Sequence, residues 1–139
     1  MFPFHVLLVA FLMLVVAVSG RQIDNVYMLA TFQTKNQGKS NEETWLNIYS
    51  SKDGIHFDEY AMDAYRPPKP WLIRDPSIIQ YLGTYYVVFT TGWSGSELGI
   101  ISSKDLKTWQ PHATIKLDLP GLTIGAAWAP VSVIYASTL

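Results

Sequence analysis

The sequence contains no cysteine, so it has no disulfide framework, no thiol nucleophile and no thiolate metal site. Stability must come from packing, and a chain of 139 residues that is 49% hydrophobic has the material for a core. An excess of either charge is also missing. Ten basic residues face eleven acidic ones, the net charge is -1, and no stretch clusters the basic residues. Nothing therefore points to nucleic acid or to an anionic membrane surface as a partner. Histidine is scarce: His5, His56 and His112 stand apart with no ligand spacing, so no metal site is expected. No Ser/His/Asp nucleophile arrangement or phosphate-cradling loop is present either, and no cofactor is expected. Gly92-Trp93-Ser94-Gly95 reads as a hairpin turn rather than a phosphate loop. Downstream of residue 20 no amphipathic helical period appears.

Val6 to Val18 is an unbroken apolar run, followed by Ser19, Gly20 and the charged Arg21. It has the length of a signal-peptide core and falls short of the about 20 apolar residues that span a bilayer. Residues 1–20 therefore read as a secretory signal and residues 21–139 as one exported domain. The segment before the run, Met1 to His5, carries no Lys or Arg, and an uncleaved membrane anchor over residues 6–18 is the alternative.

Aromatic residues are plentiful, with five Trp and eight Tyr, which suits strands and also suits the stacking of sugar faces on rings. Two segments repeat. Leu46-Asn47-Ile48-Tyr49-Ser50-Ser51-Lys52-Asp53 and Leu98-Gly99-Ile100-Ile101-Ser102-Ser103-Lys104-Asp105 share Leu-x-Ile-x-Ser-Ser-Lys-Asp, and Phe57 recurs as Trp109. A β-type run precedes each copy, Val26 to Phe32 and Tyr85 to Thr91. A period of about 50 residues built from short strands is the pattern of propeller blades. Asn36 to Asn41 and Trp93 to Ser96 read as turns, and Asp53 and Asp105 as turn formers that bond the amides ahead of them. Pro67, Pro68 and Pro70 make Arg66 to Pro70 a stiff linker between units.

The stretch Trp71 to Trp93 carries the chemistry. Arg74 and Asp75 lie between an apolar approach, Trp71 to Ile73, and a proline followed by a strand-like run, where burial is expected. A carboxylate in such a place is either half of a satisfied ion pair, with adjacent Arg74 as its partner, or a working group.

Several pieces in one order resemble glycoside hydrolase family 43: Arg74-Asp75-Pro76-Ser77-Ile78-Ile79, Gly83-Thr84-Tyr85-Tyr86, Thr90-Thr91-Gly92, Gly99-Ile100, Ser102 through Trp109, and Ala127-Trp128-Ala129-Pro130. Each piece is common alone, and their order is specific. The resemblance implies an all-β chain, about one and a half to two blades of a five-bladed β-propeller. It also implies inverting hydrolysis of arabinose- or xylose-containing polysaccharide, so the expected partner is an arabinan- or xylan-type glycan. In that family the aspartate matching Asp75 is the general base, and the positive charge of Arg74 would hold it ionised. Related propellers use an Arg-Asp-Pro aspartate to orient substrate, and that role stays open for Asp75. Trp71, Trp93 and Trp128, with Arg74, are the expected substrate-binding residues, core packing being the other role for each Trp.

The chain also departs from the family. Val131 follows Trp-Ala-Pro where an acidic residue is usual, and nothing matches the second aspartate or the glutamate acid of later blades. Inversion needs a protonated carboxyl roughly 6.5–9.5 Å from the base. Glu42, Glu43, Glu59 and Glu97 read as loop or outer-strand residues, so the chain carries a base without an acid and is expected to be inactive alone. The alternative is a non-catalytic, secreted sugar-binding or interaction protein. An incomplete propeller also leaves open β edges, from which self-association is expected, with Val131 to Tyr135 as an unpaired strand.

Overall fold

The computed structural model describes residues 26–134, all of them in strands, turns and irregular segments, with no helix among them. The expected signal at 1–20, its apolar run and Tyr135 lie outside the described residues. Seven strands follow one another: β1 (Tyr27–Lys35), β2 (Glu43–Ser51), β3 (Asp58–Tyr65), β4 (Arg74–Tyr81), β5 (Thr84–Thr90), β6 (Glu97–Ser103) and β7 (Gln110–Lys116). They form a three-stranded sheet, β1-β2-β3, and a four-stranded sheet, β4-β5-β6-β7, with every neighbour antiparallel. This is an all-β, partial-propeller architecture.

The sequence repeat is a structural one. Ser51 lies opposite Tyr27 across β1 and β2, and Ser103 lies opposite Tyr85 across β5 and β6. Strands β1, β2 and β3 thus correspond to β5, β6 and β7. Innermost β4 has no counterpart among the described residues of the first sheet. Each copy then makes the same turn. The Ser51 hydroxyl accepts the Gly54 amide at 2.8 Å and donates to Asp53, whose carboxylate accepts the amides of Ile55 and His56, both at 2.8 Å. In the second copy Ser103 accepts the Leu106 amide and Asp105 those of Lys107 and Thr108. Both aspartates titrate far below the usual carboxylate range, Asp53 through the His56 side chain first and Asp105 through the Thr108 amide first. They form turns, as expected. Gly54 takes a left-handed φ of 74° in one copy, and Leu106 takes 64° in the other. A leucine there is strained, and burying its side chain in the core offsets the cost.

One continuous core joins the sheets: Ala30, Leu46 and Ile48 from the first meet Ile73, Val87, Phe89, Ile101, Leu106 and Trp109 from the second unit. Strand β5 (TYYVVFT) is rich in β-branched and aromatic residues, which fit a pleated, buried surface. Phe89 faces Gly99 across the ladder, and a Cβ at Gly99 would sit 2.3 Å from the ring. Gly99→Ala is expected to cost about 1–3 kcal/mol through overpacking, read from urea denaturation. An unchanged midpoint would show that the Phe89 ring has room to move.

Beyond β7 the chain turns back toward the inner edge. Gly95 and Ala126 form a parallel bridge, and the Ser132 amide then donates to the Ser77 hydroxyl on β4 at 2.9 Å. Residues 131–134, expected as part of a terminal strand, are irregular: Ser132 meets β4 through its amide on the Ser77 hydroxyl and its hydroxyl on the Ser77 carbonyl, not through a backbone ladder.

Candidate functional site

The proline linker delivers the chain to Trp71, after which two backbone bonds fix the approach to β4. Leu72 donates to the Thr91 carbonyl at 2.8 Å, and Ile73 donates to the buried Thr44 hydroxyl of the other sheet at 2.7 Å. With both neighbours anchored, the start of β4 is held against β2 and β5. Between Arg74 and Ser77 the β4–β5 register slips by a bulge, and Asp75 within it has a φ of 47°. Pro76 has no N–H to satisfy, and aspartate tolerates the left-handed region better than most residues. Bulges re-aim side chains, and this one turns Asp75 outward. Asp75 is exposed, where the apolar flanks led to the expectation of burial.

Asp75 accepts a hydrogen bond from the Thr90 hydroxyl at 3.3 Å, and that hydroxyl accepts the Ala129 amide at 3.0 Å. The amide occupies an acceptor site on Thr90, so the hydroxyl proton is directed to Asp75. Thr90 is completely buried, and it links β5 to the returning segment that carries Trp128.

Arg74 does not pair with its neighbour. Its guanidinium bonds Glu42 at 3.1 Å, with side-chain exposures of only 14% and 4%, and lies over the rings of Trp93 at 4.1 Å and Phe32 at 5.0 Å. The expectation that Arg74 serves Asp75 directly is thus replaced by a Glu42–Arg74 pair. Glu42 accepts three further bonds, from the Trp93 indole at 2.6 Å, the Gly38 amide at 2.8 Å and the Thr34 hydroxyl at 3.1 Å. Burial pushes its pKa up, but the bonds from Trp93, Gly38 and Thr34 and the charge of Arg74 outweigh this and hold it below the usual value. Glu42 is ionised and acts as the clamp of the cluster.

Trp93 keeps 44% of its surface exposed and Trp128 keeps 56%. Their rings meet edge to face at 6.5 Å, and the Trp128 indole donates to the Gly92 carbonyl at 3.2 Å. Arg74 covers one face of Trp93, so its exposed surface lies on the other face and its edges. Trp71 is half-buried against the core and lines, with Trp93 and Glu42, an open cavity of ≈ 680 Å³. The structure therefore gathers Arg74, Trp93 and Trp128 into one stacked set. Asp75 is linked through the Thr90 hydroxyl to the backbone amide of Ala129, and Trp71 lines a cavity that Asp75 does not line. No group of three or more potential metal ligands occurs among the described residues.

The sequence reads Glu42 as a loop or outer-strand residue without a role in the site, because its partners are far away, 32 positions for Arg74 and 51 for Trp93. One signal was available: Glu42 shares the parity of Thr44, Leu46 and Ile48, the buried face of β2, so strand alternation alone puts it inside.

Neither a protein-family model nor a curated protein matches the chain. Among solved structures it is similar to a glycoside hydrolase family 32 β-fructofuranosidase from Bombyx mori, with a TM-score of 0.52 and 22% identity. The match covers 68% of this chain and 21% of that enzyme, so the chain spans about a fifth of its length. At this identity the likeness carries the fold: a fragment of the propeller type found in that hydrolase. It does not single out family 43.

Proposed function

We propose that the chain is the sugar-facing part of a glycoside hydrolase propeller, which binds carbohydrate and does not cleave it unaided. The observation that carries this reading is the pair of exposed indoles, Trp93 and Trp128, together with an outward-turned Asp75 that is tied through the Thr90 hydroxyl to the Ala129 amide, next in sequence to Trp128. A carboxylate able to accept sugar hydroxyls next to aromatic faces is the chemistry of carbohydrate recognition.

Hydrolysis by inversion would need a second, protonated carboxyl group. Each carboxyl group with a displaced pKa, namely Glu42, Asp53, Asp63 and Asp105, is displaced downward, which favours the ionised form. Glu42, the buried carboxylate of the cluster, is committed to Arg74 and Trp93. Asp75 as the base of a family 43-like inverting enzyme on arabinose- or xylose-containing polysaccharide is the reading from sequence. A substrate-orienting Asp75 is the second reading. The engagement of Arg74 with Glu42 rather than with Asp75 favours that second role.

The proposal includes export through residues 1–20 and association through the sheet edges that have no ladder partner among the described residues. It is tested by calorimetry with arabino-, xylo- and fructo-oligosaccharides, together with release of reducing sugar. Saturable binding without release, weakened about tenfold or more in Trp93→Ala, is the expected outcome, a loss in keeping with about 1.4 kcal/mol or more for a stacked ring. Turnover that Asp75→Asn abolishes would show instead that the chain supplies its own acid.

A further inference from the structure

We propose that the cavity beside Trp93 takes a sugar unit carrying an anionic substituent, which makes an acidic glycan the ligand class of this chain. The inference rests on the sugar-binding reading above and adds to it the charge of the ligand.

Three separate elements bring a lysine to the cavity wall: Lys39 from the β1–β2 turn, Lys69 from the proline linker and Lys116 from the end of β7. None of the three side chains is engaged in an ion pair or a hydrogen bond among the described residues, whereas Lys104 bonds Thr84 and Lys107 lies over Tyr60. Two carboxylates share the cavity, Glu42 and Glu97. Glu42 is neutralised by Arg74 at 3.1 Å, so the cavity lining carries three lysines against one remaining carboxylate, Glu97. A protein of net charge -1 does not acquire such a local excess from a generally basic surface.

The same wall presents Trp71 and Trp93, and a volume of ≈ 680 Å³ has room for a sugar unit and its substituent. Aromatic faces recognise the ring, while lysines recognise charge. Ammonium groups are compact point charges on flexible stems, without the planar fork of arginine, so they read an anion without selecting carboxylate over sulfate. The proposal is therefore an anionic group on a sugar, as a uronic acid or a sulfate ester.

The test uses the chain as it stands and calorimetry at low ionic strength. Three xylo-oligosaccharides of equal length serve as probes: unsubstituted, substituted with glucuronic acid, and sulfated. The acidic probes are expected to bind about tenfold more tightly than the neutral one, the sum of three modest screened contacts. That preference should fall to about twofold or less in the Lys69→Gln/Lys116→Gln double variant and in 0.5 M salt, where the Debye length shrinks to about 4 Å. Both lysines are exposed, so the variant keeps its fold. A gain confined to the uronate or to the sulfate identifies the source of the anion, and either supports the proposal. Equal binding of all three probes overturns it and leaves the sugar reading standing. Binding of none overturns both.

Discussion

Glu42→Ala is expected to destabilise the protein by about 3–5 kcal/mol, because it strands a guanidinium in a poorly hydrated place. Arg74 has 14% side-chain exposure and its ion pair among the described residues is with Glu42, so the uncompensated charge falls in the regime where breaking a pair is most costly. The Trp93 indole and the Gly38 amide lose an acceptor in the same substitution. Glu42→Gln separates these effects, since its amide oxygen can still accept from Trp93 and its loss of charge removes the Arg74 pair. Urea denaturation followed by tryptophan fluorescence reads both. A change within about 0.5 kcal/mol for Glu42→Ala, the size of an ordinary surface substitution, would show that the clamp does not hold the cluster.

The same carboxylate sets a pH dependence. Its folded pKa lies below its unfolded one, so its stabilisation is present above the unfolded value and is lost as pH falls through the folded one. Asp63, lowered first by its hydrogen bond from Arg66, adds a loss of the same sign. His56 runs the other way. Its pKa is raised by the hydrogen bond to Asp53, so its contribution is complete below the unfolded value and disappears as pH rises through the folded one. His56 is exposed and solvent screens that pair, so acid is the damaging direction. Acid denaturation should begin below about pH 4.5 and lose part of its steepness in Glu42→Gln.

Phe89→Ala is the second large effect, expected to cost about 3–5 kcal/mol. Phe89 is fully buried, and its ring fills the space that Gly99 leaves. Removing it leaves a cavity in the core that both sheets share, and Thr90, the support of Asp75, is the next residue. A small domain has only about 5–15 kcal/mol in total, so the variant should lose much of its cooperative transition and its near-ultraviolet circular dichroism. Phe89→Leu, which keeps most of the volume, should cost much less. A Phe89→Ala protein as stable as the parent would place the core elsewhere.

The fold was legible because it depends on local patterns. The recurrence of Leu-x-Ile-x-Ser-Ser-Lys-Asp marked two strand-and-turn units, and Ser51 and Ser103 with their aspartates build the turns that pattern implied. Pro67, Pro68 and Pro70 marked the boundary between sheets. The site was legible in part. Arg74, Trp93 and Trp128 do come together, but Asp75 is exposed because a bulge turns it out, and Asp-Pro, although it suits a bulge, does not by itself fix which way the aspartate is turned. Proximity along the chain also pointed Arg74 to Asp75, whereas its partner Glu42 reaches it from another sheet. Such a pairing follows from how two blades pack, which no short motif encodes. The segment 131–134 illustrates the converse: its sequence has strand propensity, yet contacts to Ser77 hold it irregular.

Sugar binding by the exposed indoles of Trp93 and Trp128 is read by indole-resolved NMR during titration with a xylo-oligosaccharide. Saturable shifts of the Trp93 and Trp128 indole N–H signals are expected, while that of Trp109, buried and bonded to the Leu106 carbonyl, stays in place. Asp75→Asn should weaken the titration without moving the free-state spectrum elsewhere. Unmoved Trp93 and Trp128 signals across neutral and acidic oligosaccharides would show that these indoles do not bind sugar.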